Sequence, residues 1–244
     1  MNIGYLNENK IIWQLNKKRF KELTQHWQNI ISKMFNSVND DTFIKCRLIG
    51  RDCKTDIEVI IEDEKKNISI KSGSGVSVHY EHIESFLDFL KILNISKDSL
   101  DFLKKFQYGI VDQNNLKKNI ISTKELKKEY KNEIDIINKE FEDDNVIEKI
   151  IYRCIIKGRS PYHQEIDYLY YGNEKNGYIL SKEELIKYLP RICINTNSIH
   201  FGPLIYQAAN RNVSESSFNS YKKDYIQIKW RTIEKDILSI LNCS

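Results

Sequence analysis

The chain has 244 residues, 38 of them Lys or Arg and 34 Asp or Glu, giving a formal net charge of +4. That length can bury a full core, and so small a net charge excludes any reading in which bulk electrostatics alone draws the protein to a polyanion. No apolar run approaches the roughly 18–20 residues of a membrane span, and five scattered cysteines without a Cys-x-x-Cys pair exclude a zinc site or disulfide framework and suit a reducing cytoplasm.

Between residues 15 and 35, Phe20, Leu23, Trp27, Ile30, Ile31 and Met34 recur at helical spacing, which predicts one scaffold helix with a single buried stripe. Three stretches rich in β-branched residues follow at 42–49, 55–61 and 67–71, and read as consecutive strands. The loop Ser72-Gly73-Ser74-Gly75 then leads into a second helix, with Ile83, Phe86, Leu87 and Leu90 on one face and Glu81, Glu84 and Asp88 on the other. Residues 114–144 are charged and weakly patterned, with Ile134, Ile137 and Phe141 as the helix-like apolar set, and are expected to connect two halves. Beyond them the pattern gives a helix at 147–156, a hairpin at 167–180 around Gly172 and Gly177, and a helix capped by Ser181 with Glu184 three residues on. Short strands are expected at 192–194, 204–208 and 224–230, and a last amphipathic helix carries Ile233, Ile237, Leu238 and Leu241.

The chemistry gathers in two of these strands. A two-residue period sends Ile57, Val59 and Ile61 to one face and Asp56 and Glu58 to the other; it likewise separates Ile68 and Ile70 from Ser69 and Lys71. With a two-residue loop at Asp63-Glu64, Asp56 would stand opposite Lys71 and Glu58 opposite Ser69. A carboxylate and an ammonium on one face suit phosphodiester hydrolysis, in which carboxylates hold Mg²⁺ against the scissile phosphate and a lysine orients water and offsets developing charge. Taken alone, the same pair also fits a surface cross-strand ion pair, which typically stabilises by about 0.2–1 kcal/mol.

Asp56 followed by Ser69-Ile70-Lys71, with a helix before and a helix after, resembles the PD-(D/E)xK nuclease superfamily. The resemblance spans roughly residues 15–100. It implies a restriction-endonuclease-like core, an α/β fold with a central mixed sheet flanked by helices, and Mg²⁺-dependent cleavage of double-stranded DNA. Thr55 stands where the family name has Pro, and Ser69 where the second carboxylate belongs, which leaves the metal site one ligand short. Some restriction enzymes with a Ser-x-Lys take the missing carboxylate from the following helix. Glu81 is the preferred supplier on that ground, with Glu84, Glu58 and Glu22 as alternatives and His79 as a possible neighbour of the metal. Ser69 is expected to hydrogen-bond near the metal without ligating it.

These readings assign residues 1–112 to a nuclease core and 113–244 to an α/β portion with β-structure that recognises DNA. Arg153, Lys157, Arg159, Gln164, Asn210, Arg211, Gln227 and Lys229 have side chains suited to phosphates or base edges, or equally to solvated surface. The stretch Ile199-His200-Phe201-Gly202-Pro203-Leu204 also resembles the carboxy-terminal part of restriction-endonuclease-like proteins. Cleavage of a palindrome would favour a homodimer, with a cognate DNA methyltransferase encoded nearby. The same core admits a repair or junction-resolving nuclease, or a DNA-binding protein that has lost its metal site.

Overall fold

A computed structural model describes residues 3–50, 53–73, 76–109, 122–208 and 216–243. They build two compact units, each assembled from separate stretches of chain. The first comprises Met1–Val76, Ile155–Tyr188 and Ile233–Ser244; the second comprises Ser77–Cys154 and Leu189–Thr232. The division is thus interleaved, where the sequence suggested a single boundary near residue 112.

The first unit opens with helix α1 (Ile3–Leu15), the short strand β1 (Lys18–Arg19) and helix α2 (Gln25–Met34). The single helix expected across 15–35 is broken because this stretch pairs with distant backbone: Lys17 N–H donates to the Ile44 carbonyl and Phe20 N–H to that of Thr42, both at 2.9 Å. Lys17 takes a left-handed φ of 60° to make the turn. Trp27, Ile30, Ile31 and Met34 still form the buried stripe, confined to α2. The strands β2 (Phe43–Leu48), β3 (Ile57–Ile61) and β4 (Glu64–Lys71) follow, each antiparallel to the last. Strand β5 (Val76–His82) then carries the chain out of this unit.

The second unit continues through α3 (Ile83–Ile92), α4 (Lys97–Tyr108), α5 (Thr123–Glu129), α6 (Lys131–Phe141) and α7 (Asp144–Ile151). The stretch expected to be a connector is therefore largely helical, with Ile134, Ile137 and Phe141 buried along α6. After a π-helical turn at Tyr152–Lys157 the chain returns to the first unit as the hairpin β6 (Tyr168–Gly172) and β7 (Gly177–Ser181), then α8 (Lys182–Tyr188). Ser181 and Glu184 cap α8 reciprocally: Ser181 N–H donates to Glu184 Oε2 at 2.6 Å, and Glu184 N–H to Ser181 Oγ at 3.1 Å. The second unit resumes with β8 (His200–Phe201), β9 (Leu204–Ala208) and β10 (Tyr225–Trp230), and α9 (Ile233–Leu241) ends in the first. No strand forms at 192–194, where one was expected.

The first unit holds a six-stranded mixed sheet in the order β1-β2-β3-β4-β6-β7. Its parallel contact is β4 with β6, which needs a long crossover, and the excursion through the second unit supplies it. One face of this sheet buries Ile57, Val59, Ile61, Ile68, Ile70, Tyr170 and Ile179 against α1 and α2. The second unit has a four-stranded sheet, β5-β10-β9-β8, and an aromatic core in which Phe201 lies 4.6 Å from Phe141 and 5.9 Å from Phe86, centroid to centroid. Among the described residues no helix is long and apolar enough to cross a membrane.

Candidate active site

Asp56 immediately precedes β3, and its backbone is held on both sides. Its N–H donates to the Ile68 carbonyl at 2.9 Å, and its carbonyl accepts from Ile49 N–H at 3.0 Å. Because Ile57 belongs to the buried face, alternation turns Asp56 to the opposite one, together with Ser69 and Lys71. The register pairs Ile57 with Ile68, Glu58 with Asn67 and Ile61 with Glu64; Asp56 stands just before this ladder, its N–H turned to the Ile68 carbonyl. This corrects the expected register by two residues. The turn falls at Glu62-Asp63, where Glu62 adopts a left-handed φ of 53°, and not at Asp63-Glu64.

Asp56 Oδ2 accepts from Ser69 Oγ at 3.1 Å, from Ile70 N–H at 2.5 Å and from Lys71 Nζ at 3.2 Å. Lys71 Nζ also donates to Ser69 Oγ at 2.8 Å and to the Ile70 carbonyl at 2.9 Å. The ammonium is thereby aimed by three acceptors, and Ser69, itself buried, is the bridge between carboxylate and lysine. The side chains of Asp56 and Lys71 keep 23% and 18% of their surface exposed, enough for a substrate to reach them.

A residue that the sequence reading passed over joins this pair. Burial pushes the Glu8 carboxyl on α1 above its usual range; the neighbouring charge of Asp56 adds to that rise, and Lys71 opposes it. Glu8 thus stands within electrostatic reach of both Asp56 and Lys71. The Thr55 hydroxyl, next to Asp56, is buried and without a protein partner among the described residues. Asp56 and Glu8 fit Mg²⁺, which characteristically takes one or two carboxylates and completes its octahedron with water and phosphate oxygens. Among the described residues no cluster of three or more His, Cys, Asp or Glu could enclose a metal by itself.

The other glutamates named from sequence are engaged elsewhere. Glu58 is buried and its Oε2 accepts from Arg47 Nε at 2.7 Å. Glu81 lies on β5, not on the following helix, and its side chain is fully buried in the second unit. Arg153 Nε and Nη2 donate to its two oxygens at 2.9 and 2.7 Å, His79 Nε2 lies 2.8 Å from Oε1, and Ser85 Oγ donates to Oε2 at 3.1 Å. Burial pushes the Glu81 carboxyl up, but the hydrogen bonds and charges of His79 and Arg153 outweigh it and bring it down to about 2. Both Glu81 oxygens, expected to serve a metal, thus have protein partners. Glu84 pairs with Lys104 at 2.7 Å on the exposed side of the second unit, and Glu22 Oε2 accepts from Arg19 N–H at 2.6 Å.

The candidate DNA contacts also separate. Arg153 is committed to Glu81, with its guanidinium 4.6 Å from the centre of the Phe89 ring, so it is not a surface donor. Arg159 and Gln164 lie exposed in the first unit on the loop before β6, beside Tyr162, which is 94% exposed; Lys157, just before that loop, is half-buried. Gln227 and Lys229 take the half-buried polar face of β10 in the second unit, as alternation predicts. Asn210 and Arg211 lie outside the described residues.

This architecture is similar to that of the restriction endonuclease MspI, solved in complex with its cognate DNA. The likeness has a TM-score of 0.50 at 15% sequence identity and covers 93% of this chain and 88% of that one. No protein-family model and no curated protein matches the sequence. The fold is α/β and restriction-endonuclease-like, with a mixed six-stranded sheet flanked by helices.

Proposed function

We propose that the protein is a Mg²⁺-dependent endonuclease that hydrolyses phosphodiester bonds in double-stranded DNA, acting as a type II restriction enzyme in the PD-(D/E)xK manner. The observation that carries this reading is the triad of Asp56, Ser69 and Lys71, with Lys71 Nζ fixed by acceptors at 2.8, 2.9 and 3.2 Å and still reachable by solvent. The fold likeness to a nuclease solved with DNA supports it.

Asp56, through the Oδ1 that makes no hydrogen bond among the described residues, and Glu8 would hold the metal ion. When bound, Mg²⁺ supplies charge neutralisation on the scissile phosphate and a more acidic water. Lys71 positions the attacking water and offsets charge that develops on the phosphoryl oxygens. Ser69 ligates nothing; it holds Lys71 to Asp56. The exposed Arg159 and Gln164, and the polar face bearing Gln227 and Lys229, offer the phosphate and base-edge contacts. A palindromic target would be cut by a homodimer, one strand per subunit, in a cytoplasm protected by a cognate methyltransferase.

Incubation of the protein with supercoiled plasmid and Mg²⁺ tests this reading. Linear products in a fixed fragment pattern are expected. EDTA should abolish them, and Lys71→Ala and Asp56→Asn should each slow cleavage by about 10²–10³-fold, the scale of losing one preorganised electrostatic contact. Cutting confined to branched or mismatched substrates would transfer the site to a structure-specific nuclease. No metal-dependent cutting of any DNA would overturn the catalytic reading.

A further inference from the structure

The end of the first unit's sheet that bears Lys71 also holds a cleft of about 430 Å³, within the range of small-molecule sites. Its described walls include Gly73, Tyr171, Gly172, Asn176, Tyr178 and Glu234. Lys71 on β4 pairs with Tyr171 on β6, which pairs with Tyr178 on β7. Directly paired residues project to one face, so these three side chains form a row across the sheet at steps of about 4.8 Å. The cleft therefore begins one strand away from the lysine of the candidate active site.

The lining is selective in its chemistry. Tyr171 is almost buried and its hydroxyl donates to the Gly73 carbonyl at 3.1 Å, which fixes its ring beside the loop that follows Lys71. Gly73 has a φ of 77° and open space where a Cβ would sit. The Tyr178 hydroxyl, the Asn176 side-chain amide and the Glu234 carboxylate line the cleft and make no hydrogen bond among the described residues. Glu234 lies near enough to Tyr171 to add its charge to the burial that raises that phenol. His26, also in the wall, shares a hydrogen bond of 2.9 Å with Tyr170 Oη, and burial lowers its pKa. A carboxylate without a facing cation among the described lining disfavours a phosphate or other anion. A flat, neutral ring with N–H donors fits.

We infer that this cleft is a nucleobase pocket, in which the base lies against Tyr171 and Tyr178 and donates an N–H to Glu234. Aromatic stacking binds every base, and a carboxylate acceptor selects the ring edges that carry N–H groups. Two sources present this chemistry: a base swung out of DNA whose phosphate lies at Lys71, or a free nucleoside. Only the first source rests on the proposed nuclease reading.

Saturation-transfer NMR with deoxycytidine, deoxyguanosine, deoxyadenosine and thymidine tests the pocket without any cleavage. Transfer to the base protons is expected for the wild-type protein and, undiminished, for Asp56→Asn. Tyr178→Ala should weaken nucleoside binding about tenfold through lost stacking, and Glu234→Ala should weaken it as well. Thermal melting checks that Tyr178→Ala is folded, and Glu234→Ala changes an exposed helix position, so one variant reports even where the other is unstable. A duplex oligonucleotide added with Ca²⁺ separates the sources: displacement of the nucleoside assigns the pocket to a DNA base, and persistence of the signal assigns it to a free nucleoside. Absence of transfer for all four nucleosides, or equal transfer in the wild type and both pocket variants, overturns the inference. A protein that cuts DNA but binds no nucleoside loses the pocket alone; one that binds nucleosides but never cuts loses the nuclease reading alone.

Discussion

Oδ2 of Asp56 collects a hydroxyl, a backbone N–H and an ammonium, whereas Oδ1 makes no hydrogen bond among the described residues. In the proposed metal site Glu8 is the second carboxylate, and Glu8→Gln should weaken Mg²⁺ binding, read as the metal-induced rise in melting temperature. Loss of an outer partner of a metal site costs about 10- to 100-fold in affinity, so loss of a direct ligand should cost at least that; an unchanged metal response would remove Glu8 from the site. Strand alternation made Asp56, Ser69 and Lys71 legible. Glu8 was not, because only tertiary packing brings α1 within electrostatic reach of Asp56 and Lys71, and no local period encodes that. Glu81 was misplaced for the converse reason. On β5 the buried positions include His79 and Glu81, hydrogen-bonded to one another, so the polar residues that normally mark a solvent face point inward. Its carboxyl, ordinarily near 4.5, is held at about 2 in the fold, so its stabilisation is complete above the ordinary value and is lost as pH falls from about 4.5 through about 2. The loss should be on the order of 3 kcal/mol in urea unfolding. Glu81→Gln should flatten that acid limb and destabilise the protein at neutral pH, since Arg153 then lies half-buried without its counter-charge.

At the scale of elements, the hairpin of β3 and β4 shows what a pattern can and cannot specify. A shift of two residues keeps every side chain on its own face, so alternation allows both the expected register and the observed one. Turn geometry decides between them: Glu62 at φ 53° closes the loop one position early and sets Glu58 against Asn67. The second hairpin is specified more tightly. Gly177 sits where a Cβ would meet the Tyr170 phenol and approach the Tyr171 carbonyl oxygen to 2.6 Å, and that oxygen is backbone and cannot yield cheaply. Gly177→Ala should therefore destabilise the protein by about 1–3 kcal/mol or more, measured as a lower urea midpoint. A cost below 0.5 kcal/mol, the level of an ordinary surface change, would mean that the hairpin relaxes around the methyl group.

For the whole molecule, the decisive feature is that the first unit is discontinuous. Its last helix, α9, buries Ile233, Ile237 and Ile240 although the strands beside Asp56 and Lys71 lie about 160 residues earlier in the chain. Each such side chain contributes roughly 1.5–3 kcal/mol by burial, a sum comparable to the entire stability of an ordinary domain, about 5–15 kcal/mol. A chain ending at Thr232 should then lose cooperative melting and all cleavage, even with Asp56, Ser69 and Lys71 intact; a cooperative melt in the truncated protein would show that α9 is dispensable. The sequence alone determined what depends on neighbours a few residues apart: the strand faces, the α2 stripe, the α8 cap, and the presence of a carboxylate and a lysine on one face. Only the tertiary structure decided the interleaving of the units, the register, the arrival of Glu8 beside Asp56 and the withdrawal of Glu81 into an ion pair. The reason is physical. Local periodicity records which side of an element is buried, whereas the choice of partner across more than a hundred residues is made by packing and charge compensation summed over the folded chain.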